Sequence, residues 1–178
     1  SYVSCRRSDE LAYEDALAAA KANGEDTSDL EEVYKTYREG DSLKEYLALR
    51  NATSGYHPAK NKVNTSLLAV FCPYAGTDDV RWVMKQADLE LYEKLENSLM
   101  DTTYEYDVYD YDLEYDVPMY FISGSMDYVC NTSLTRTFSE DITAPRTVFA
   151  VIAGGGHTPQ YETPEAFGEL VKQMLKLG

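Results

Sequence analysis

The sequence predicts a mixed α/β protein in which a helical N-terminal part is followed by a short parallel β-sheet with its helices. Apolar residues recur at helical spacing through most of residues 1–100. Two continuous apolar runs follow, VPMYFIS at 117–123 and TVFAVIA at 147–153, and such runs are typical of strands buried in a parallel sheet. A helical stretch comes after each run, as crossover connections require. We therefore expect two regions, 1–100 and 101–178.

Capping residues mark the starts of the N-terminal helices. Ser8, Ser28 and Ser42 each stand before a helical pattern, and the last two have a glutamate three residues later, which is a capping box. A longer fourth helix is expected from about residue 78 to 95. In the C-terminal region, residues 131–142 predict a helix, and the last helix is expected to begin after Thr163, with proline at its first position.

The negative net charge of the chain disfavours some classes of binding partner. Its 178 residues carry a formal net charge of −15, from 31 acidic residues and 16 lysines and arginines. A surface of this sign repels the phosphate backbone of nucleic acids and anionic lipids, so we expect neither nucleic acid nor a membrane as a partner. No apolar run approaches the ~18–20 residues of a membrane span.

Cysteine usage and one acidic segment bear on metals and on location. Cys5, Cys72 and Cys130 are odd in number and far apart, which favours a reducing cytoplasm and gives no zinc-binding pattern. The segment at 101–116, DTTYEYDVYDYDLEYD, has seven acids and no base. It lacks the glycine and the terminal glutamate of an EF-hand loop, so we expect an extended or irregular surface segment and no metal.

Each predicted strand is followed by one residue that can do acid–base chemistry. Asp127 follows the first strand in GSMD, and His157 follows the second in GGGH. Because neighbouring parallel strands end at the same edge of a sheet, the two side chains can pair, and the aspartate would then orient the imidazole as a base. The glycines allow a sharp turn and leave space. The alternative is a turn-forming aspartate and an ordinary loop histidine. His57 has no partner in the sequence and is expected at the surface.

The residues around this pair resemble the C-terminal part of α/β-hydrolases, in particular serine hydrolases like the proline iminopeptidases. That family typically has a strand ending in G-x-x-D, an A-P-x-K/R stretch, a second strand, and a glycine–histidine pair followed by P-x-x-E-x-P-x-x-F. The matching positions here are Pro118, Gly124, Asp127, Ala144, Pro145, Arg146, His157, Pro159, Glu162, Pro164 and Phe167.

The resemblance implies roles for these residues. Asp127 would be the acid of a catalytic triad and His157 its general base, without a cofactor. Residues 1–100 would form a helical cap, and residues 101–178 would form the last two βα units of the parallel sheet. Two positions depart from the family pattern: Gly155 stands where a serine is usual, and Asn131 stands near a usual proline.

The nucleophile motif of this fold, G-x-S-x-G, is absent from the 178 residues. We therefore expect a C-terminal fragment of a serine hydrolase without the N-terminal half of the fold, inactive alone. Its complete form would cleave a small peptide or ester, and the fragment would self-associate or pair with the missing half through its unpaired strand edges. Two alternatives stay open: a non-catalytic binding or self-associating module, and a fragment of an α/β-hydrolase with an aspartate nucleophile.

Overall fold

The computed structural model shows a mixed α/β chain that is mostly helical, with a two-stranded parallel sheet packed against helices. This arrangement confirms the expected mixed α/β class, with a helical N-terminal part followed by a short parallel sheet and its helices. The structure describes residues 3–40, 42–59, 61, 63–64, 67–68, 71–85 and 88–176.

The described elements follow one another from a helical region into the sheet. In chain order they are α1 Cys5–Asn23, α2 Ser28–Glu39, α3 Leu43–Ser54, α4 Thr77–Lys85, α5 Leu89–Glu105, a single 3-10 turn Val108–Asp110, β1 Met119–Gly124, α6 Thr132–Asp141, β2 Thr147–Ile152, α7 Pro159–Glu162 and α8 Pro164–Lys176. Among these described helices, none combines the length and the apolar character needed to cross a membrane.

Two of the sequence-based expectations about helix starts need correction, and a third is confirmed. Helix α1 begins one turn before Ser8, because Ser4 takes the N-cap position and its carbonyl accepts from the Ser8 amide at 3.1 Å. Helix α2 begins at Ser28 itself, with Thr27 as its N-cap residue. The capping box of Ser42 and Glu45 is confirmed at the start of α3.

The long helix expected at 78–95 is two helices. Helix α4 ends at Lys85, and Asp88 caps α5 by accepting a hydrogen bond from the Leu91 amide at 3.2 Å. Helix α5 then continues into the acidic segment at 101–116. Residues 101–105 of that segment are therefore helical, although an extended or irregular structure was expected. The reason is packing: Tyr104 is buried and meets Tyr37 edge-to-face, with ring centroids 6.0 Å apart.

The core of the helical region surrounds a buried charge. Asp9 is 2% exposed and forms an ion pair with Arg50, with 3.0 Å between its Oδ1 and the guanidinium. The Tyr37 hydroxyl donates to the other carboxylate oxygen at 3.0 Å. Burial raises the pKa of Asp9, and the Arg50 charge opposes that rise. The ion pair therefore joins α1 to α3, and the Tyr37 hydrogen bond joins α1 to α2, around an almost fully buried carboxylate.

The sheet places the ends of both strands side by side. Strands β1 and β2 are parallel and in direct register, from Met119 opposite Thr147 to Gly124 opposite Ile152. Helices α6 and α8 pack against both strands. Phe121 of β1 meets Phe138 of α6 edge-to-face at 5.8 Å, inside a buried cluster. The predicted strands are thus confirmed, and the carboxyl ends of both strands lie at the same edge of the sheet.

Candidate active site

Residues 125–130, which we call the acid loop, hold the carboxylate of Asp127 in a fixed position. One carboxylate oxygen accepts hydrogen bonds from the amide of Val129 at 3.0 Å and the amide of Cys130 at 2.8 Å. The side chain is only 7% exposed. Two backbone donors and burial leave this carboxylate little freedom, so it is oriented before any partner binds.

Residues 154–157, which we call the glycine loop, lie directly against the end of β1. Gly154 has a φ of 75°, a left-handed conformation that favours glycine, and its amide donates to the Ser125 hydroxyl at 2.8 Å. A Cβ on Gly124 would lie 2.3 Å from the carbonyl oxygens of Gly155 and Gly156. The absence of side chains therefore lets the two loops touch through their backbones.

Glu162 closes the glycine loop from the other side. Its carboxylate accepts hydrogen bonds from the Gly156 amide and from both the amide and the hydroxyl of Thr158, the latter two at 3.2 and 3.0 Å. These donors flank His157 on both sides in sequence. Glu162 thus fixes the backbone that carries the imidazole, which is a positioning role that sequence reasoning did not assign.

The structure brings His157 and Asp127 together, as their places after neighbouring strands predicted. The imidazole Nδ1 lies 3.2 Å from each carboxylate oxygen of Asp127. The histidine side chain is 44% exposed, so the ring is accessible while its partner is buried. The hydrogen bond to Asp127, helped by a second one to Cys130, raises the pKa of His157 from 6.5 to about 9 against the opposing effect of burial.

Cys130 is a member of this site that the sequence reasoning missed. Its sulfur, a carboxylate oxygen of Asp127 and a ring nitrogen of His157 all lie within 4.8 Å of one another. The thiol is buried at 7% exposure. The only sequence signal is the spacing D-x-x-C, which is common in turns before a helix and points to no chemistry by itself.

An open pocket adjoins the acid loop, and His57 belongs to it. The pocket has a volume of about 290 Å³, and its lining includes Asp127, Asp15 and His57. His57 is half-buried: its Nε2–H donates to the Ala12 carbonyl at 3.3 Å, and its ring stacks on Tyr128 with centroids 5.6 Å apart. The expectation that His57 is a plain surface residue is therefore refined, because it ties α1 to the acid loop.

Comparisons of the chain with protein-family models, with curated proteins and with solved structures found no match. The function must therefore be argued from the chemistry of the site. What the site offers is an oriented carboxylate, an accessible imidazole bonded to it, and a nearby thiol.

Proposed function

We propose that Asp127 and His157 are the acid and the general base of a catalytic triad, in a chain that supplies the C-terminal part of an α/β-hydrolase-like serine hydrolase. The observation that carries this proposal is the contact of His157 Nδ1 with the buried Asp127 carboxylate at 3.2 Å. The alternative of an isolated turn aspartate and a loop histidine does not account for a contact between side chains thirty positions apart.

The proposed acid–base chemistry depends on which nitrogen of the His157 imidazole is hydrogen-bonded to Asp127. Asp127 accepts from Nδ1–H and thereby leaves Nε2 as the nitrogen that can take a proton from a nucleophile. When the proton arrives, the imidazolium is stabilised by the carboxylate, which its two backbone donors keep in place. His157 then returns the proton to the leaving group. The part of this chain in each step requires only the arrangement of the two loops, and the nucleophile and the leaving group come from elsewhere.

The hydrolase assignment is supported by order and topology. In that fold the acid and the base follow successive strands of a parallel sheet, in the order acid then histidine, and β1 and β2 are parallel neighbours in that order. The serine would come from the N-terminal half of the fold, on polypeptide outside these 178 residues. The proposed substrate is a small peptide or ester with a small N-terminal residue such as proline, whose positive amino group suits an acidic chain.

The test uses the natural protein that contains these residues, purified from its source and produced with single substitutions. We expect it to take one fluorophosphonate label per chain, and we expect His157→Ala and Asp127→Asn to slow labelling and ester hydrolysis by about 10⁴-fold. Asp116→Asn is the matched control, because Asp116 is an exposed aspartate away from the pair. Labelling that is as fast in His157→Ala as in the control would refute the proposal.

Two other results would identify the alternatives. Hydrolysis that requires His157 but proceeds without fluorophosphonate labelling would indicate an aspartate nucleophile. No hydrolysis and no label in the natural protein would favour a binding module. A specific observation supports that second candidate: four side chains near α4 are more than half exposed although they are large and apolar. They are Phe71, Tyr74, Trp82 and Met84.

Self-association is proposed from the open sheet. In the described residues each strand has one neighbour, so both outer edges of the sheet carry unpaired backbone groups. A two-stranded sheet is marginal without further strands or packing. We expect light scattering at micromolar concentration to give a mass above that of one chain, unless the N-terminal half is supplied. A monodisperse monomer would count against pairing through these edges.

A further inference from the structure

We propose that Asp127, Cys130 and His157 form a binding site for a thiophilic divalent cation, specifically Zn²⁺. The three side chains offer one carboxylate oxygen, one sulfur and one ring nitrogen, and these atoms lie within 4.8 Å of one another. Sequence reasoning gave no zinc pattern, because the three ligands come from two loops and only two of them are near in sequence.

The spacing of the ligand atoms suits a tetrahedral ion. With Zn–N and Zn–O bonds near 2.05 Å, two such ligands lie about 3.3 Å apart, and a sulfur at 2.3 Å from the ion lies about 3.6 Å from either. The observed separation of His157 Nδ1 from the Asp127 carboxylate is 3.2 Å. The Cys130 sulfur lies within 4.8 Å of a ring nitrogen of His157 and a carboxylate oxygen of Asp127, so it would have to move by about 1 Å to reach this spacing.

The Asp127 ligand is already held in place by backbone donors. Oδ1 of Asp127 accepts from the Val129 and Cys130 amides, which leaves Oδ2 to face His157 at 3.2 Å. Outer hydrogen bonds of this kind orient the ligands of metal sites. The Asp127 and Cys130 side chains are each 7% exposed, whereas His157 is 44% exposed. Three-ligand zinc sites retain a water molecule as the fourth ligand, and the partial exposure of His157 would give water access to the ion.

The identity of the donors selects the cation. Mg²⁺ and Ca²⁺ require oxygen ligands, and a thiolate with an imidazole excludes both as good occupants. A thiolate and a carboxylate together carry two negative charges, which a dication neutralises, and the net charge of −15 on the chain attracts cations to it. Zn²⁺ accepts all three donor types and imposes no redox chemistry.

Metal binding and the acid–base role would exclude each other. A cation ligated by His157 and Asp127 takes the place of the proton that the two share, so the pair could no longer relay one. The site would therefore switch the chemistry off when zinc is present. The metal site itself does not depend on the hydrolase proposal, since binding is measured without a nucleophile or a substrate.

The test measures metal binding directly in chelator-treated protein under reducing conditions. We expect calorimetric titration with Zn²⁺ to show one equivalent bound, and titration with Co²⁺ to show the absorption that a sulfur ligand gives. Cys130→Ser should weaken Zn²⁺ binding by about 100-fold or more and abolish that absorption, since even the loss of an outer-shell partner costs 10–100-fold. His157→Ala, which changes an exposed side chain, should weaken binding similarly, and thermal unfolding of each variant checks that it is folded.

Cys72→Ser is the matched control, because Cys72 is the exposed free thiol and a surface thiol can bind metal by itself. This variant should bind one equivalent with unchanged affinity and unchanged cobalt absorption. Three outcomes would overturn the proposal: no stoichiometric binding by the unaltered protein, binding that persists in Cys130→Ser, or binding that is lost in Cys72→Ser. None of these depends on whether the natural protein hydrolyses anything.

Discussion

Replacing Asp127 by asparagine should lower the pKa of His157. The hydrogen bond to the carboxylate is the largest cause of the rise in the histidine pKa from 6.5 to about 9, so Asp127→Asn should bring this pKa most of the way back toward 6.5. The full difference corresponds to about 3 kcal/mol at 1.36 kcal/mol per pH unit. Because the side chain is 44% exposed, solvent screening reduces the contribution to about 1–2 kcal/mol.

The sign of the effect on stability follows from the direction of the shift. The folded-state pKa of His157 lies above its unfolded value, so folding is favoured by proton binding. The contribution is complete below about pH 6.5 and is lost as the pH rises through about 9. The free energy of unfolding should therefore fall by about 1–2 kcal/mol across this window, and the Asp127→Asn variant should lack that fall.

The assay is NMR titration of the imidazole protons in the presence of a chelator, which keeps metal out of the site. The chain has two histidines. The signal that disappears in His157→Ala belongs to His157, and the signal that remains belongs to His57. A His157 pKa near 6.5 in the unaltered protein, or one near 9 that persists in Asp127→Asn, would refute the reasoning. If the proposed hydrolase function holds, the same titration should appear in the natural protein as kcat/KM rising with pH toward about 9.

Three further experiments test the packing around the site and the helical core. Gly124→Ala should lower the free energy of unfolding by about 3 kcal/mol in a denaturant titration, because the added Cβ would meet backbone carbonyls of the glycine loop. The control Gly168→Ala, which has open space in α8, should instead raise the free energy of unfolding by about 0.5–1 kcal/mol. Equal effects of the two substitutions would contradict the close approach of Gly124 to the glycine loop. Glu162→Gln should speed amide hydrogen exchange in the glycine loop and cost about 1–2 kcal/mol; unchanged exchange would remove its positioning role. Asp9→Leu should cost about 3–5 kcal/mol by leaving the Arg50 charge buried, whereas the double change with Arg50→Met should recover most of it in thermal unfolding.

The part of the structure that the sequence predicted rests on local patterns. The strands were readable because VPMYFIS and TVFAVIA are apolar without interruption, and α6 because its residues lie between them at helical spacing. Asp127 and His157 could be paired in advance since the ends of neighbouring parallel strands share one edge. These inferences needed only the order of elements along the chain and one rule of topology.

The part that the sequence did not predict depends on contacts between distant residues. Cys130 joins the site only because its turn bends back toward the glycine loop, and a lone cysteine has no periodic signal. His57 lines the pocket because α1 and the acid loop enclose it. The division of the helix at 78–95 depends on Asp88, whose capping role competes with its ordinary place inside a helix.

Three residues before α4 lie against the site: His57 against the acid loop, Ala59 beside the glycine loop, and Asn61 against helix α7. His57 stacks on the acid loop, and Asn61 donates to the Glu162 carbonyl at 2.7 Å. Ala59 lies beside Gly156, where an added Cβ would come within 2.9 Å of the Ala59 Cβ. The hydrogen bond of Asn61 joins residues 101 positions apart. Contacts of such separation form slowly, because closing a long loop costs entropy before any bond compensates for it. During refolding the helices should therefore gain protection from hydrogen exchange first, and the contacts of His57, Ala59 and Asn61 with the site should form last.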